Sequence, residues 1–547
     1  MQQDVIIVGG GLAGLAAAHE LTKRGRKVLI VDQEGEQSLG GQAFWSLGGL
    51  FMVDTPEQRR MGIRDSRDLA AIDWFGSAGF DRPEDENPRK WAEAYLDYAA
   101  GAMRADLSAI GMRWFPVVGW AERGGALADG HGNSVPRFHI TWGAGEGIVA
   151  PYVRLAEEAE AAGLLRFAFR HRVTGLEVEN GRVTGVSGDQ LAIDHARRGA
   201  STNREVVGDF TFHAENVILT TGGIGGNFDR VRAVWPSDRL GPAPKHMVAG
   251  VPDYVDGQMA DIAKRAGAGA INEDRMWHYT EGLKNWDPIW PRHGIRVLPG
   301  PSSVWFDALG QRMEAPCLPG FDTLATLKRI LQTGHEHSWF ILTQKIIEKE
   351  FALSGSEQNP DFVSGSMWEV LKERTLSKGA TRAVEAFKRE GEDFVVARDL
   401  DTLVAGMNAL TPDAPLDPAK IRAQVEARDA QIANPFSKDA QITAIRQARA
   451  YRGDRLVRTA KPHRILDPAE GPLIAVRLNI LTRKSLGGLH TNLASQVLRP
   501  DGTVFDGLYA AGEAAGFGGG GYHGYNALEG TFLGGCIFSG QAAGRNA

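Results

Sequence analysis

The sequence has almost no cysteine: Cys317 and Cys536 are the only two in 547 residues. They are far apart and belong to no C-x-x-C pair, which excludes a disulfide-stapled scaffold and a zinc ribbon. The nearest approach to metal-ligand spacing, His335-Glu336-His337, places two histidines on different faces of a helix. We therefore predict no metal site, and two idle thiols are typical of a reducing compartment.

Long apolar runs and an excess of positive charge are also missing. No stretch reaches the roughly 18 uninterrupted apolar residues of a transmembrane helix. The first apolar run, residues 5–8, is followed at once by three glycines, unlike a signal peptide. The formal net charge of −6 at pH 7 favours neither nucleic acid nor an anionic membrane as a partner. We expect a cytoplasmic protein with no integral membrane segment.

Glycine, by contrast, is abundant, with 68 residues. Its clusters occupy residues 9–14, 222–226, 487–488 and 516–521, and each follows a strand-like run. Such clusters mark places where the backbone turns sharply or approaches a ligand. The length favours two or three domains rather than one core.

The N-terminal segment predicts a βαβ unit. Residues 4–8 form a β-branched run typical of a buried parallel strand, and residues 15–24 have the pattern of a helix. Residues 27–31 form a second strand that delivers Asp32, followed by Gln33. An acid at this position accepts hydrogen bonds from a ribose hydroxyl and disfavours a 2′-phosphate.

Between the first strand and the helix, Gly9, Gly11 and Gly14 have the G-x-G-x-x-G spacing, with Leu12 and Ala13 between them. The first glycine permits a tight turn, the second lets backbone approach a pyrophosphate, and the third lets helix and strand pack closely. The phosphates would lie at the helix N-terminus, where unpaired N–H groups favour negative charge. The unit therefore predicts dinucleotide binding.

Later motifs indicate which dinucleotide. They are the glycine pairs near residues 40–41 and 48–49, the hairpin pattern at 173–186, V-I-L-T-T-G-G at 217–223, the segment 253–268, and D-G-T-V-F-D-G-L-Y-A-A-G-E at 501–513. In this order they resemble the succinate dehydrogenase/fumarate reductase flavoprotein family, which includes the 3-ketosteroid dehydrogenases. The resemblance covers roughly residues 1–275 and 470–547.

The resemblance implies FAD as the cofactor and adds residues that would contact it. They are Gly40, Gly41, Gln42, Ser46, Gly48, Gly49, Val173, Thr221, Gly222, Gly223, Asp256, Gly512, Glu513, Asn526, Ala527 and Leu528. A helix predicted over 526–543 would turn its positive N-terminus to the isoalloxazine. Some members join FAD covalently to a histidine, where this chain has Gln42, so we expect FAD to be held non-covalently.

Glycines 222, 223, 225 and 226 could also be a second, NAD-binding fingerprint. Their spacing differs from G-x-G-x-x-G, and no second βαβ unit ending in an acid follows, so FAD alone is favoured.

The predicted fold is α/β: a Rossmann-like FAD-binding domain made of residues 1–274 and 466–547, with an inserted α+β cap domain at 275–465. Within the cap, helices are expected at 338–353, at 366–388 with an interruption at Gly379, and at 438–449. Residues 303–312 resemble the hairpin at the entrance of the family's cap. In the family this domain closes over the flavin and excludes water.

The C-terminal motif departs from that of fumarate reductases, H-G-x-N-R-L-G-G-N. Ala527 stands where the arginine would be, and Glu529 adds negative charge. Alignment on the strand pattern at 339–342 puts Asp322 or Thr323 at the position of the family's catalytic arginine, with Lys328 or Arg329 as the alternative cations for that role. Because two carboxylates require charge-assisted partners, a C4-dicarboxylate substrate is disfavoured.

The 3-ketosteroid dehydrogenases carry Y-P-G-x-G instead, and residues 522–526 read Tyr522-His523-Gly524-Tyr525-Asn526. The resemblance implies that Tyr522 polarises a ketone. Its phenol, with an ordinary pKa of about 10, would need help from His523 or from burial. The alternative is that Tyr522 and Tyr525 merely pack beneath the cap, with His523 hydrogen-bonded to the loop. His278 and Tyr279 are weaker candidates, since they lie in a tryptophan-rich stretch that favours packing.

Three functions remain open from the sequence. The first is an FAD-dependent oxidoreductase, 3-ketosteroid dehydrogenase-like, that moves hydride between flavin N5 and a C–C bond next to a ketone. The second is a fumarate reductase-like enzyme acting on a small carboxylic acid, and the third is a flavin-containing binding protein without turnover. The expected partners are a small lipophilic ketone or acid and an electron acceptor that the sequence does not identify.

Overall fold

The computed structural model describes residues 3–120, 129–130, 132–376 and 378–547. Its strands are β1 Val5–Val8, β2 Val28–Asp32, β3 Gly49–Phe51, β4 Phe138–Ile140, β5 Leu165–Phe169, β6 His171–Glu179, β7 Arg182–Leu191, β8 Val206–His213, β9 Asn216–Leu219, β10 Val248–Ala249, β11 Ala270–Ile271, β12 Met276–Lys284, β13 Gly294–Leu298, β14 Val304–Asp307, β15 His337–Thr343, β16 Ala352–Leu353, β17 Phe394–Ala397, β18 Leu473–Ser485, β19 Gly488–Leu489, β20 Gln496–Leu498 and β21 Val504–Ala510.

The α-helices are α1 Leu12–Lys23, α2 Pro56–Arg60, α3 Arg67–Ala78, α4 Glu86–Ala100, α5 Met103–Ala109, α6 Ala144–Ala161, α7 Phe228–Ala233, α8 Ser237–Leu240, α9 Gln258–Ala266, α10 Thr323–Leu331, α11 Gln344–Glu350, α12 Pro360–Val363, α13 Met367–Leu371, α14 Arg382–Glu390, α15 Leu400–Leu410, α16 Pro418–Ala430, α17 Ala440–Ala448, α18 Arg452–Val457 and α19 Thr531–Asn546.

The first sheet has the order β20-β21-β9-β1-β2-β5 and is parallel except for β20. Its central strands are continuous apolar runs because both faces are covered: β1 is entirely buried. Helices α1 and α19 pack on one face, and the antiparallel sheet β6-β7-β8 lies near the other. The predicted α/β, Rossmann-like architecture is confirmed here.

The second sheet has the order β14-β15-β18-β12-β13-β16, and the neighbours along this order pair antiparallel. Helices from the middle of the chain bury apolar side chains such as Ile346, Phe387 and Leu403 against it. The central strand of this sheet is β18, which lies after the predicted cap range of 275–465. The predicted domain boundaries themselves stay predictions.

Two predicted helices differ in the structure. Residues 338–343 belong to strand β15, and helix α11 begins only at Gln344, because the apolar run from Trp339 to Leu342 pairs with β18. The helix expected from residue 526 begins at Thr531. Gly530 precedes it with φ 87°, a left-handed conformation that stops the helix from extending further back. The hairpin expected at 173–186 is confirmed as β6 and β7.

Among the described residues, no helix combines the length and the apolar character needed to span a bilayer. The cytoplasmic location stays a prediction.

A buried ion pair links α4 to the start of β12. Asp85, directly before α4, accepts hydrogen bonds from both terminal nitrogens of Arg275 at 2.6 and 2.8 Å, and both side chains are 0% exposed. Arg275 also lies over the Tyr525 ring at 4.1 Å. The guanidinium holds the pKa of Asp85 below its usual value. This pair therefore fastens the first sheet's helical layer to the second sheet.

We expect Arg275→Met to lower the free energy of unfolding by about 3–5 kcal/mol, because it leaves the Asp85 carboxylate buried without its cation. The matched control is Lys90→Met, which removes the exposed pair with Glu86 and should cost less than about 1 kcal/mol. Urea titration monitored by tryptophan fluorescence measures both. Equal losses in the two variants would contradict the assignment.

Candidate active site and cofactor cleft

A single long cleft runs from the carboxyl end of β1 and β2 to the second sheet. It encloses about 1820 Å³ together with its open mouth. Its position, outside the carboxyl ends of parallel strands, is where ligands bind in such folds.

Most of the residues expected to contact the cofactor line this cleft. They are Gly9, Gly11, Leu12, Ala13, Asp32, Gln33, Gly40, Gly41, Gln42, Ser46, Gly48, Gly49, Val173, Thr221, Gly222, Asp256, Gly512 and Glu513. The structure thus brings together segments that are up to five hundred residues apart in the chain.

Asp32 fixes the phosphate-binding end of the cleft. One carboxylate oxygen accepts from the Gly10 N–H at 2.7 Å and the other from the Glu34 N–H at 2.9 Å. Burial raises the pKa of Asp32 to about 6. At Gly9, φ is 106°, and a Cβ there would meet the Thr220 carbonyl oxygen. This loop geometry therefore requires glycine and aligns the loop with the start of α1.

Glu513 and Gln42 form a polar bridge across the middle of the cleft. The Gln42 amide donates to Glu513 Oε2 at 3.1 Å and accepts from Lys484 Nζ at 2.8 Å. Glu513 Oε1 accepts from the Ser485 N–H at 2.9 Å. Burial lowers the pKa of Lys484. The bridge ties the predicted cofactor residues to strand β18.

Gly14 and Gly223 act behind the cleft wall rather than on it. A Cβ at Gly14 would meet the carbonyl oxygen of Gly9, and one at Gly223 would meet Glu513 Oε1. Asn526 donates to the Ser77 carbonyl at 2.7 Å, and Ala527 and Leu528 are buried. None of these five residues lines the cleft.

Tyr522 and His523 lie beneath the cleft, inside an aromatic cluster. Both are 0% exposed, and the Tyr522 hydroxyl donates to the Thr531 carbonyl at 2.5 Å. His523 Nε2 is 2.7 Å from Thr531 Oγ1, and its ring stacks on Trp74. Burial raises the pKa of Tyr522 and lowers that of His523. In this arrangement they hold the first residue of α19, and neither lines the cleft.

The N-terminus of α19 itself faces the cleft. Gly530, Phe532 and Leu533 line it, together with Cys536 one turn further on. A helix N-terminus carries a partial positive charge, which stabilises an anionic partner. The family resemblance implied a helix N-terminus at the flavin end of the cleft. In the structure this helix begins at Thr531, five residues later than expected.

The opposite wall carries a charged cluster that contains Tyr279. Its hydroxyl donates to Glu529 Oε1 at 3.1 Å, and Arg296 Nη1 donates to the same oxygen at 2.7 Å. The guanidinium lies 3.6 Å from the centre of the Tyr279 ring. The Arg296 Nε is 3.9 Å from Glu281, a buried carboxyl whose pKa is raised by burial. A guanidinium and a carboxylate thus converge on one phenol.

Arg483 lines the cleft beside this cluster. Its backbone N–H donates to His278 Nδ1 at 3.0 Å, and its side chain donates to the Gly250 carbonyl. Burial lowers the pKa of His278 to about 3, so the imidazole is neutral. It stacks on Trp235 with ring planes 5° apart. His278 therefore positions strand β18 and is itself buried at 2% exposure.

Several residues that no sequence motif had indicated also line the cleft. They are Glu34, His171, Arg172, Tyr254, Arg296, Leu298, Ser354, Arg483, Lys484, Phe532 and Cys536. One sequence signal points to two of them: Arg483 and Lys484 lie four and three residues before the glycine pair 487–488, one of the clusters typical of close approach to a ligand. Asp322, Thr323, Lys328 and Arg329 do not line the cleft, and Arg329 pairs with Asp307 at 2.7 Å.

The sequence profile of the family described as "FAD binding domain" matches residues 4–533. The chain belongs to this family. FAD is therefore its cofactor, and the glycine-lined cleft with Asp32 at one end and a helix N-terminus at the other fits that group.

Two relatives are similar along nearly their whole length. A KsdD-like steroid dehydrogenase of Mycobacterium tuberculosis (strain CDC 1551 / Oshkosh) is 59% identical over 544 residues, covering 100% of this chain and 95% of that protein. A KsdD-like steroid dehydrogenase of Mycolicibacterium smegmatis is 60% identical, covering 97% and 96%. The chain is thus an FAD-dependent oxidoreductase, 3-ketosteroid dehydrogenase-like, of the class acting on CH–CH groups, as predicted.

A solved structure shares the fold at low identity. The 3-ketosteroid Δ1-dehydrogenase of Sterolibacterium denitrificans superposes with a TM-score of 0.66 at 17% identity, covering 99% of this chain and 98% of that one.

The environment of Asp32 predicts a pH dependence of FAD binding. Because burial raises its pKa to about 6, the carboxylate is present above that pH and is lost below it. The charged groups nearest to it are Glu34 and Arg204. We expect the affinity of the apoprotein for FAD to be constant above pH 7 and to fall below pH 6 by up to about tenfold per unit.

Asp32→Asn should weaken FAD binding about 10- to 100-fold at pH 8 and flatten this profile, because an amide NH2 would face an N–H donor. Asp4→Asn is the control. The Asp4 carboxylate also accepts a hydrogen bond from a backbone N–H, that of Lys27, but it lies outside the cleft. Quenching of flavin fluorescence measures the affinity. An unchanged profile in Asp32→Asn would refute the role.

Proposed function

We propose that the chain oxidises or reduces a C–C bond next to the ketone of a steroid-like, lipophilic molecule. The support is the similarity to two steroid dehydrogenases over nearly the whole chain. The solved relative from Sterolibacterium denitrificans was crystallised with 1,4-androstadiene-3,17-dione. The cleft also has apolar walls that suit such a ligand: Phe138, Leu298, Leu481, Phe517, Phe532 and Leu533.

We propose Tyr279, rather than Tyr522, as the group that moves the proton. The supporting observation is the hydrogen bond from its hydroxyl to Glu529 at 3.1 Å in the cleft wall. When the phenol oxygen takes a proton from the carbon beside the ketone, its own proton passes to the Glu529 carboxylate. Arg296, over the ring, stabilises negative charge on the phenol during the transfer. Tyr522 and His523 instead position α19.

The bound flavin supplies a hydride acceptor or donor at N5. The groups proposed to hold FAD are the loop from Gly9 to Leu12, Asp32 at the ribose, and Gln42 with Glu513 in the middle of the cleft. The first turn of α19 faces the remaining end. The cap strands then cover the reacting atoms from water.

A dicarboxylate is a poor fit for this cleft. Arg296 already serves Glu529 at 2.7 Å and lies near Glu281, so its charge is neutralised before a ligand arrives. Ala527 carries no charge and is buried. Gripping two carboxylates needs a charge-assisted partner for each of them, and Arg483 in the cleft lining is one cation only.

We also propose that FAD is held non-covalently. The support is Gln42, an amide with no nucleophilic atom, which stands at the position expected for the family's covalent histidine and is engaged by Lys484 and Glu513. Cys536 also lines the cleft, and burial raises the pKa of its thiol to about 12, which keeps it protonated and unreactive.

The test of the function is anaerobic mixing of the holoenzyme with substrates. Saturated 3-ketosteroids should bleach the oxidised flavin, or Δ1- or Δ4-3-ketosteroids should reoxidise the reduced flavin, whereas succinate and fumarate should change neither. A spectrum that responds to the dicarboxylates and to no ketosteroid would overturn the proposal. No response to a broad ketone and acid panel would favour a binding protein.

Two matched tyrosine variants separate the candidate residues. Tyr279→Phe should keep full FAD content and lose at least 100-fold in the rate of flavin reduction, because the proton has no acceptor. Tyr522→Phe should keep that rate within a few fold and lose about 1–2 kcal/mol of stability, since it removes a buried hydrogen bond to Thr531. The reverse pattern would return catalysis to Tyr522.

Acid precipitation tests the mode of FAD attachment. Trichloroacetic acid should release all yellow chromophore into the supernatant, because only non-covalent contacts are lost on unfolding. Cys536→Ser serves as the control and should release the same fraction. Chromophore retained in the pellet of the unmodified protein would contradict the proposal.

A further inference from the structure

Arg483 is a cleft-lining cation whose charge is not used by the protein itself. In the part of the chain that the structure describes, it forms no ion pair with a carboxylate, although Arg296 and Lys484 beside it both do. Its side chain donates to the Gly250 carbonyl, a neutral acceptor. A guanidinium remains charged, so an unpaired and partly buried one in a cleft is costly unless a ligand compensates it.

The acidic groups that face Arg483 are each engaged elsewhere. Glu529 accepts from Arg296 and Tyr279, and Glu513 accepts from Gln42 and the Ser485 N–H. Glu357 is the third; burial raises its pKa to about 7, so it is neutral below that pH. The positive charge of Arg483 therefore remains available to a ligand in the cleft.

The strand pairing sets Arg483 beside the proposed proton-transfer group. Tyr279 on β12 lies opposite Leu481 on β18. The pairing shifts register between Leu481 and Lys484. The side chains of Leu481 and Arg483 nevertheless both lie beside Gly250, and both residues line the cleft with Tyr279. The backbone of Arg483 is held by the buried, neutral His278 at 3.0 Å. The cation is thus fixed rather than mobile.

We infer that Arg483 binds the oxygen of the substrate's ketone and stabilises the enolate formed there. This rests on the proposed function and names the group that polarises the carbonyl. As Tyr279 takes the proton, the C–H bond breaks and its electron pair moves into the carbon–carbon bond next to the carbonyl. The carbonyl π electrons then move onto oxygen, where the guanidinium donates a hydrogen bond. A preoriented donor at developing negative charge is a large contribution to catalysis.

The experiment uses 4-nitrophenol as an enolate mimic, because its phenolate is an oxygen anion conjugated to a ring and its visible absorbance reports ionisation. The holoenzyme, with oxidised FAD, is titrated with the phenol across its pKa. We expect the bound phenol to ionise at a pH at least one unit lower than in water, which corresponds to at least tenfold preference for the phenolate.

Arg483→Met should abolish this preference while FAD content is kept, and Arg483→Lys should restore part of it, since lysine keeps the charge and loses the planar fork. Arg458→Met is the matched control. Arg458 is also a partly buried arginine that donates to backbone carbonyls, at Leu298 and Pro299, and it does not line the cleft. It should leave the phenol's ionisation unchanged.

The alternative is that Arg483 stabilises negative charge on the flavin rather than on the substrate oxygen. A sulfite titration distinguishes these two roles. Sulfite adds to flavin N5, and its affinity rises with positive charge near the ring. Sulfite affinity in Arg483→Met within threefold of the unmodified protein supports the inference. A large loss of sulfite affinity with unchanged phenolate preference would overturn it, as would an unmodified enzyme that binds the phenol without ionising it.

The two proposals fail separately. If ketosteroids do not bleach the flavin but the phenol still ionises in an Arg483-dependent way, the oxyanion site stands and the steroid substrate is wrong. If ketosteroids bleach the flavin equally fast in Arg483→Met, the oxyanion assignment is wrong and the function stands.

Discussion

The structure depends on the close packing of α1 against α19. Gly540 and Gly544 of α19 touch the backbone of Ala13 and Ala17, where a Cβ would meet carbonyl oxygens. The two helices therefore run parallel on the same sheet, and both N-termini face the cleft. Gly540 lies against Ala13, and α19 begins nine residues before this contact, whereas α1 begins one residue before it. The N-terminus of α19 therefore extends about 12 Å beyond that of α1 along the cleft. One helix end serves the phosphate loop and the other serves the distal end.

Strand β18 couples the cofactor region to the cap. Its first half pairs with β15 and β17, and its second half pairs with β12. It ends with Arg483, Lys484 and Ser485, which reach the substrate side, Gln42 and Glu513 respectively. A shift of this strand would move all three contacts together. The position of this one strand therefore sets the geometry of both the cofactor side and the substrate side of the cleft.

The local sequence pattern was enough to predict the residues at the phosphate-binding end of the cleft, but not those at the substrate end. Gly9, Gly11 and Asp32 belong to a contiguous unit whose spacing alone sets its geometry. Tyr279 and Arg483 meet only because β12 and β18 pair across two hundred residues, which no local pattern encodes. The motif around Tyr522 was misleading for a physical reason. Gly530 delays the start of α19, and the tyrosine hydroxyl is used to hold Thr531 beneath the cleft.

The charge balance at the substrate end of the cleft follows from one residue, Glu529. Glu529 stands directly before the Gly530 cap of α19, where a carboxylate is stabilised by the positive helix end. It forms an ion pair with Arg296 at 2.7 Å. A ligand carboxylate would meet this fixed negative charge, whereas a neutral ketone would not. The ketone gains negative charge only as it reacts, so a cation beside it stabilises the transition state more than the bound substrate. In the proposed mechanism, the residue that accepts the proton of Tyr279 thus also selects a neutral substrate.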